Sequence, residues 1–201
     1  YQIFIYRIVS MKELTIFFIC IIGIFVVINI VKRNQEITLV TSTVNNKSYY
    51  VRKLEDSQQA ADILARLCSQ LEKLVESLKK DDSERCKRLL KRFDCSNVSE
   101  TIPGSQYTSY SVNKGEKLSI CIRDKETNEF LDMNTITFVA IHELSHVMSE
   151  SVGHTEEFWT NMKFLLEEAV KLSIYTPIDY SKQPIKYCGM IINSSPYNFN
   201  K

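Results

Sequence analysis

The chain reads as an α+β protein: a single N-terminal transmembrane helix followed by a compact domain of helices with a small β-sheet or hairpin. Three observations predict this. The uncharged apolar run LTIFFICIIGIFVVINIV, residues 14–31, is about the minimum length for a helix that crosses a bilayer core. Apolar residues recur at steps of three and four through residues 54–80, and again through 135–151 and 156–172. Between these helices, residues 107–112 and 117–123 alternate about an Asn113-Lys114-Gly115 turn, which predicts a β-hairpin. The resulting plan is an N-terminal tail (1–13), an anchor (14–31), a stalk or linker (32–53) and a folded domain (54–201).

The anchor is bounded by Lys12 and Glu13 before it and by Lys32 and Arg33 after it. The chain begins at Tyr1, and Met11 lies just ahead of the run, where a start residue would turn the segment into a signal peptide or a signal anchor. No small-x-small cleavage site follows, so an uncleaved anchor in contact with the lipid bilayer is the expectation; a buried core helix is the alternative. Lys32, Arg33, Lys47, Arg52 and Lys53 outweigh Arg7 and Lys12, which predicts a single-pass membrane protein with its folded domain on the cytoplasmic side. Cysteine usage leaves the compartment open: Cys68, Cys86, Cys95, Cys121 and Cys188 show no metal-type spacing. The sequons at Asn46, Asn97 and Asn193 are little more than chance predicts.

Length and charge bound the rest. The 201 residues suit one modest domain with appendages, and 44% hydrophobic with 24% charged residues is the composition of a folded chain. Lys+Arg 25 against Asp+Glu 24 leaves a net charge of +1, too small a field to draw the protein to nucleic acid or to acidic substrates. With 5 Gly and 4 Pro, long flexible linkers are not expected.

Residues 34–53 are polar with β-leaning stretches, read as a short stalk plus one strand. In the helix from Leu54 to Lys80, Ala60, Leu64, Leu67, Leu71, Leu74 and Leu78 fall on one face. Asp81-Asp82-Ser83 breaks it and caps a helix through about Phe93, whose basic run Lys87-Arg88 and Lys91-Arg92 reads as a solvated face; a nucleic-acid contact is the other reading. Asp132 or Asn134 caps the next helix, with a buried stripe at Ile136, Val139, Ala140, Leu144, Val147 and Met148. A further helix from about Glu156 to Leu172 buries Phe158, Met162, Leu165, Leu166 and Ala169, and an irregular aromatic tail with Pro177 and Pro184 closes the chain.

The chemistry concentrates on one helix. The chain has 3 histidines, His142, His146 and His154, and the first two frame His142-Glu143-Leu144-Ser145-His146. Positions i and i+4 share a helix face, so both imidazoles can reach one metal ion, and Glu143 sits one residue round, within reach of a water on that metal. A catalytic zinc takes three protein ligands and keeps a fourth position for water. His154 is the third-ligand candidate: Gly153 can turn the chain back after the helix stops near Ser151, and Thr155 caps the following helix with Glu156 and Glu157 in its first turn. Glu167 and Glu168 are the competing carboxylate ligands. In the hairpin, Ser119, Cys121 and Arg123 share a face beside the motif helix, and a strand there is suited to pairing with an extended peptide substrate; a purely structural hairpin is the alternative. Tyr175, Tyr180 and Tyr187 are candidates to hydrogen-bond a transition-state oxyanion, Tyr187 being taken with Ser119, Cys121 and Arg123 as substrate-binding; each would otherwise pack with its hydroxyl satisfied.

The motif with Gly153-His154 and Phe158-Trp159 resembles the compact SprT-like and WLM-type metallopeptidases, and the stretch from about Tyr107 to Pro196 looks like predicted WLM-type peptidases of large DNA viruses. That resemblance implies a zincin-like, minimal metallopeptidase fold for residues 54–201. It also implies Zn2+ on His142, His146 and His154, Glu143 as general base, and a protein or peptide substrate. In the cellular members it implies cleavage of DNA–protein crosslinks; this chain departs from them in its apolar N-terminal segment and in lacking a basic tail. The expectation is therefore a membrane-anchored zinc metallopeptidase. The alternatives are a catalytically inactive or structural zinc-binding membrane protein, and a zinc hydrolase acting on a non-peptide bond.

Overall fold

The computed structural model describes residues 13–28 and 36–199, and the chain divides into two units, residues 1–38 and 39–201. In the first unit, residues 13–28 form helix α1, with its apolar side chains exposed. No helix among the described residues is long and apolar enough to cross a membrane. This overturns the expected transmembrane anchor at 14–31, the lipid bilayer as partner and the single-pass, cytoplasmic-facing placement: an uncharged run supplies apolarity, but a span also needs a helix of sufficient length, and the described residues hold none. Residues 1–12 of the expected tail, Met11 among them, residues 29–31 of the expected anchor and residues 32–35 of the expected stalk lie outside the described residues.

The second unit is α+β. Its main sheet has five strands in the order β1-β2-β3-β5-β4. They are β1 (Ile37–Thr41), β2 (Ser48–Arg52), β3 (Val98–Glu100), β4 (Tyr110–Val112) and β5 (Lys117–Ile120). β2 runs parallel to β3 and β3 parallel to β5, while β4 closes one edge as the antiparallel partner of β5. The stretch read as a stalk with one strand thus supplies two strands. In β2 the alternation buries Tyr49 and Val51 under the helix layer.

Helix α2 (Ser57–Ser77) lays Ala60, Leu64, Leu67, Leu71 and Leu74 onto the sheet and tightens into a 3₁₀ turn at Leu78–Lys80. Helix α3 (Glu84–Arg92) follows. Helix α4 (Met133–Met148) packs against α2, α3, β4, β5 and the following helix, α5 (Glu156–Lys171). Packed on most sides, α4 buries residues round most of its axis, including Thr137, Glu143 and Ser145, and leaves His142 and His146 partly open. Asp132 caps α4 by accepting from the Thr135 N–H at 2.9 Å, and Thr155 caps α5 by accepting from the Phe158 N–H at 3.4 Å.

Two further features lock the frame. The β4–β5 turn runs through three consecutive residues of positive φ: Asn113 (45°), Lys114 (58°) and Gly115 (111°). Gly115 also lies against the Arg92 carbonyl, where a Cβ would come within 2.9 Å, so the turn seats directly on α3. A C-terminal hairpin of β6 (Ile185–Tyr187) and β7 (Met190–Ile192) is fastened beside the end of β5 by the Cys121–Cys188 disulfide.

Candidate metal centre

On α4 the four-residue step sets His142 and His146 side by side, ring centroids 5.1 Å apart. His154 arrives from the loop that follows and completes a triangle, 4.9 Å from His142 and 4.9 Å from His146. One ring nitrogen from each of the three lies within 4.8 Å of the others, and Nε2 of His142 stands 3.0 Å from Nε2 of His154. Phe158, on the first turn of α5, backs all three rings at centroid distances of 4.8, 4.3 and 4.7 Å, and Trp159 lies 5.6 Å from His154.

The loop that brings His154 home is held by charge. α4 ends at Met148, earlier than the expected stop near Ser151, because its last carbonyls are taken by α3. Arg88 donates to Met148 O at 3.0 Å and Arg92 to Val147 O at 3.1 Å. The basic run is therefore not wholly a solvated face: two of its guanidiniums cap the negative end of the motif helix. Glu157 then grips the loop. It accepts from the N–H of Glu150 and of Ser151, each at 2.9 Å, from the Ser151 hydroxyl at 2.7 Å and from Arg88 at 3.2 Å. Lys114, from the β4–β5 turn, donates to the Ser151 carbonyl. Gly153 takes a φ of 84° immediately before His154, turning the chain there rather than at the helix end itself.

Electrostatics suit a cation. Burial, then the neighbouring His146 and His154, push the His142 pKa down to about 3. Burial, then His154 and Lys114, push that of His146 down to about 4. Both are neutral imidazoles at pH 7, the form that ligates metal. Glu143 is buried beside them, its pKa pushed up to about 8 by burial against the pull of the Ser111 backbone N–H. Two nitrogens on one tetrahedral zinc, each at about 2.05 Å, stand about 3.3 Å apart, so the His142–His154 spacing needs little adjustment. Three nitrogen donors, with neither thiolate nor carboxylate in the cluster, fit a zinc that keeps one position open. Glu167 and Glu168 do not join the cluster, and Glu168 instead pairs with Lys171.

The histidines open into a cavity of about 810 Å³ that also takes in Glu143, Lys114, Tyr187 and the β4 residues Tyr110 and Ser111. The other residues expected to meet substrate lie elsewhere. Ser119 is buried with its hydroxyl 3.0 Å from that of Thr101, Cys121 is in the disulfide, and Arg123 is buried against Glu100 (2.8 Å), Asp56 (2.5 Å) and the Phe130 ring. For Ser119 the reason is topological: β5 is an interior strand, flanked by β3 and β4, so both its edges are used within the sheet, while Cys121 and Arg123 lie beyond its end at Ile120 and are taken by Cys188 and by the two carboxylates. Tyr187 does line the cavity, but its hydroxyl donates to Cys121 O at 2.7 Å and sits 2.8 Å from that of Ser109. Tyr175 and Tyr180 pack against Phe138.

Sequence reading missed Ser111, Lys114, Arg88 and Glu157. Only Glu157 carried a signal, as an acid in a helix's first turn, and that signal pointed to the helix dipole rather than to the loop.

Comparison with known proteins agrees with the motif resemblance. The model for the WLM domain matches residues 43–189. The uncharacterized protein R325 of Acanthamoeba polyphaga mimivirus is 32% identical over 168 residues, covering 81% of this chain and 85% of that one. The uncharacterized protein 042R of Invertebrate iridescent virus 3 is 39% identical over 84 residues, 41% of this chain and 50% of its own. Among solved structures, Wss1 from Saccharomyces cerevisiae is similar at a TM-score of 0.49 and 17% identity, over 61% of this chain and 87% of that one.

Proposed function

The chain belongs to the WLM domain family, and on that premise we propose that its metallopeptidase-like domain is a zinc-dependent peptidase, with His142, His146 and His154 as ligands and Glu143 as general base. The observation that carries the reading is the cluster itself: three imidazole nitrogens within 4.8 Å of one another beside a buried glutamate. A zinc ion held there would supply Lewis acidity towards a scissile carbonyl and a nucleophilic water near neutral pH.

The protein's own groups do the rest. Glu143 accepts the proton of the attacking water and passes it to the leaving amine. The Ser111 N–H aims its carboxylate and favours the ionised form that burial alone disfavours, as a cation held by the triad would. Phe158 walls the imidazoles on one side. Because β4 is the edge of the sheet and borders the cavity, an extended peptide pairs there rather than on β5, with Ser109 and Ser111 lining its path. A structural zinc is disfavoured, since no fourth His, Cys, Asp or Glu joins the cluster among the described residues.

The test is metal content and cleavage of an unfolded protein such as casein by the purified full chain. Glu143→Gln keeps one zinc and loses turnover, and His146→Ala loses the zinc. Turnover at the wild-type level in Glu143→Gln overturns the assignment.

A further inference from the structure

Large apolar side chains that remain exposed in a folded domain mark a surface that meets something. Four of them here, Val152, Trp159, Met190 and Ile191, are 86%, 41%, 47% and 64% exposed and line the cavity that contains the histidines. They come from two parts of the chain remote in sequence: the His154 loop with the start of α5, and strand β7. Neither part is loose. The loop is gripped by Glu157 and Lys114. The β6–β7 hairpin is fastened through Cys121–Cys188 and through the Tyr187 hydroxyl on Cys121 O. Two apolar surfaces thus stand on rigid elements, with Phe138 and Val139 of α4 completing the lining.

The charges of the same cavity are few. Apart from the histidines and tyrosines, its ionisable lining is Glu143, engaged by the Ser111 N–H, and Lys114. No other carboxylate among the described residues lines the cavity to receive a cationic side chain, and Lys114 repels one.

Resting on the peptidase reading above, we propose that this surface is a side-chain subsite. It admits a bulky apolar residue of an extended peptide beside the scissile bond and rejects a basic one, and Met190 and Ile191 set the preference. Burying such a side chain rather than alanine is a differential interaction of the size that separates substrates ten- to a hundredfold in kcat/KM. Placing a lysine there costs more, because its ammonium loses water without gaining a partner.

The experiment uses the zinc-loaded full chain and a set of extended peptides that differ only at the residues flanking the cleaved bond: Phe, Leu, Ala, Glu or Lys. The expected order in kcat/KM is Phe and Leu above Ala by tenfold or more, with Lys lowest. Ile191→Ser and Met190→Ser, both at exposed positions, narrow the Phe-to-Ala ratio to within about threefold, mainly through KM, with zinc content unchanged. Equal cleavage of all peptides by the wild type overturns the subsite and leaves the peptidase reading standing. A preference that persists undiminished in both variants overturns the assignment to β7. Zinc binding with no cleavage of any peptide overturns the peptidase reading, and the subsite with it.

Discussion

Glu157 accepts from the backbone N–H of Ser151 at 2.9 Å, so the first turn of α5 holds the loop that delivers His154. With Arg88 bridging Glu157 and the end of α4, the His154 loop is organised independently of any ligand bond. Partners that orient metal ligands typically contribute ten- to a hundredfold in affinity. Glu157→Ala is expected to weaken zinc binding about tenfold in a chelator competition, with the far-ultraviolet circular dichroism unchanged. An unaltered affinity would show that the loop is held without it.

The same carboxylate makes stability depend on pH. Hydrogen bonds from the Glu150 N–H and from the Ser151 hydroxyl and N–H hold its pKa down, at about 2 against an ordinary 4.5. A depressed folded pKa means the stabilisation is fully present above about pH 4.5 and is lost as pH falls from there towards 2. Urea midpoints of the metal-free wild type should fall across that window, and those of Glu157→Gln should fall less.

Arg123 sits buried between Glu100 and Asp56. Arg123→Met strands the Glu100 carboxylate in the interior, an uncompensated charge that costs about 3–5 kcal/mol. Urea denaturation measures the loss. A cost under about 1 kcal/mol would mean that Glu100 takes up a proton or finds water instead.

The disulfide joins Cys121 to Cys188 across a sequence separation of 67. Closing a loop of that order stabilises by about 2–4 kcal/mol, chiefly by restricting the unfolded chain. The Cys121→Ala/Cys188→Ala double variant should therefore unfold at lower urea and, by freeing the β7 wall, show a raised KM with its zinc content intact.

The motif helix and α5 were legible in the chain, expected at 135–151 and 156–172 and observed at Met133–Met148 and Glu156–Lys171. Local rules suffice there: three- and four-residue apolar periodicity, Asp132 and Thr155 as caps, and a hairpin turn at Asn113-Lys114-Gly115. Local rules failed in two places. The apolar run at 14–31 satisfied a composition rule, yet no helix among the described residues meets the length a span requires. Ser119, Cys121 and Arg123 alternated as a half-exposed strand should, but β3 and β4 enclose β5, and beyond its end Cys121 is bonded to Cys188 and Arg123 is paired with Glu100 and Asp56.

By itself, then, the sequence determined the chemistry on offer: 3 histidines, the glutamate beside the first, and the helix that faces two imidazoles the same way. That much follows from the 3.6-residue turn and needs no other part of the chain. Only the tertiary structure decided which third group joins them, which strand is the open edge and what walls the cleft. Those outcomes depend on pairs such as Arg88 with Met148, Glu157 with Ser151 and Cys121 with Cys188. Such contacts form only after the chain has folded back on itself, and no local spacing encodes them.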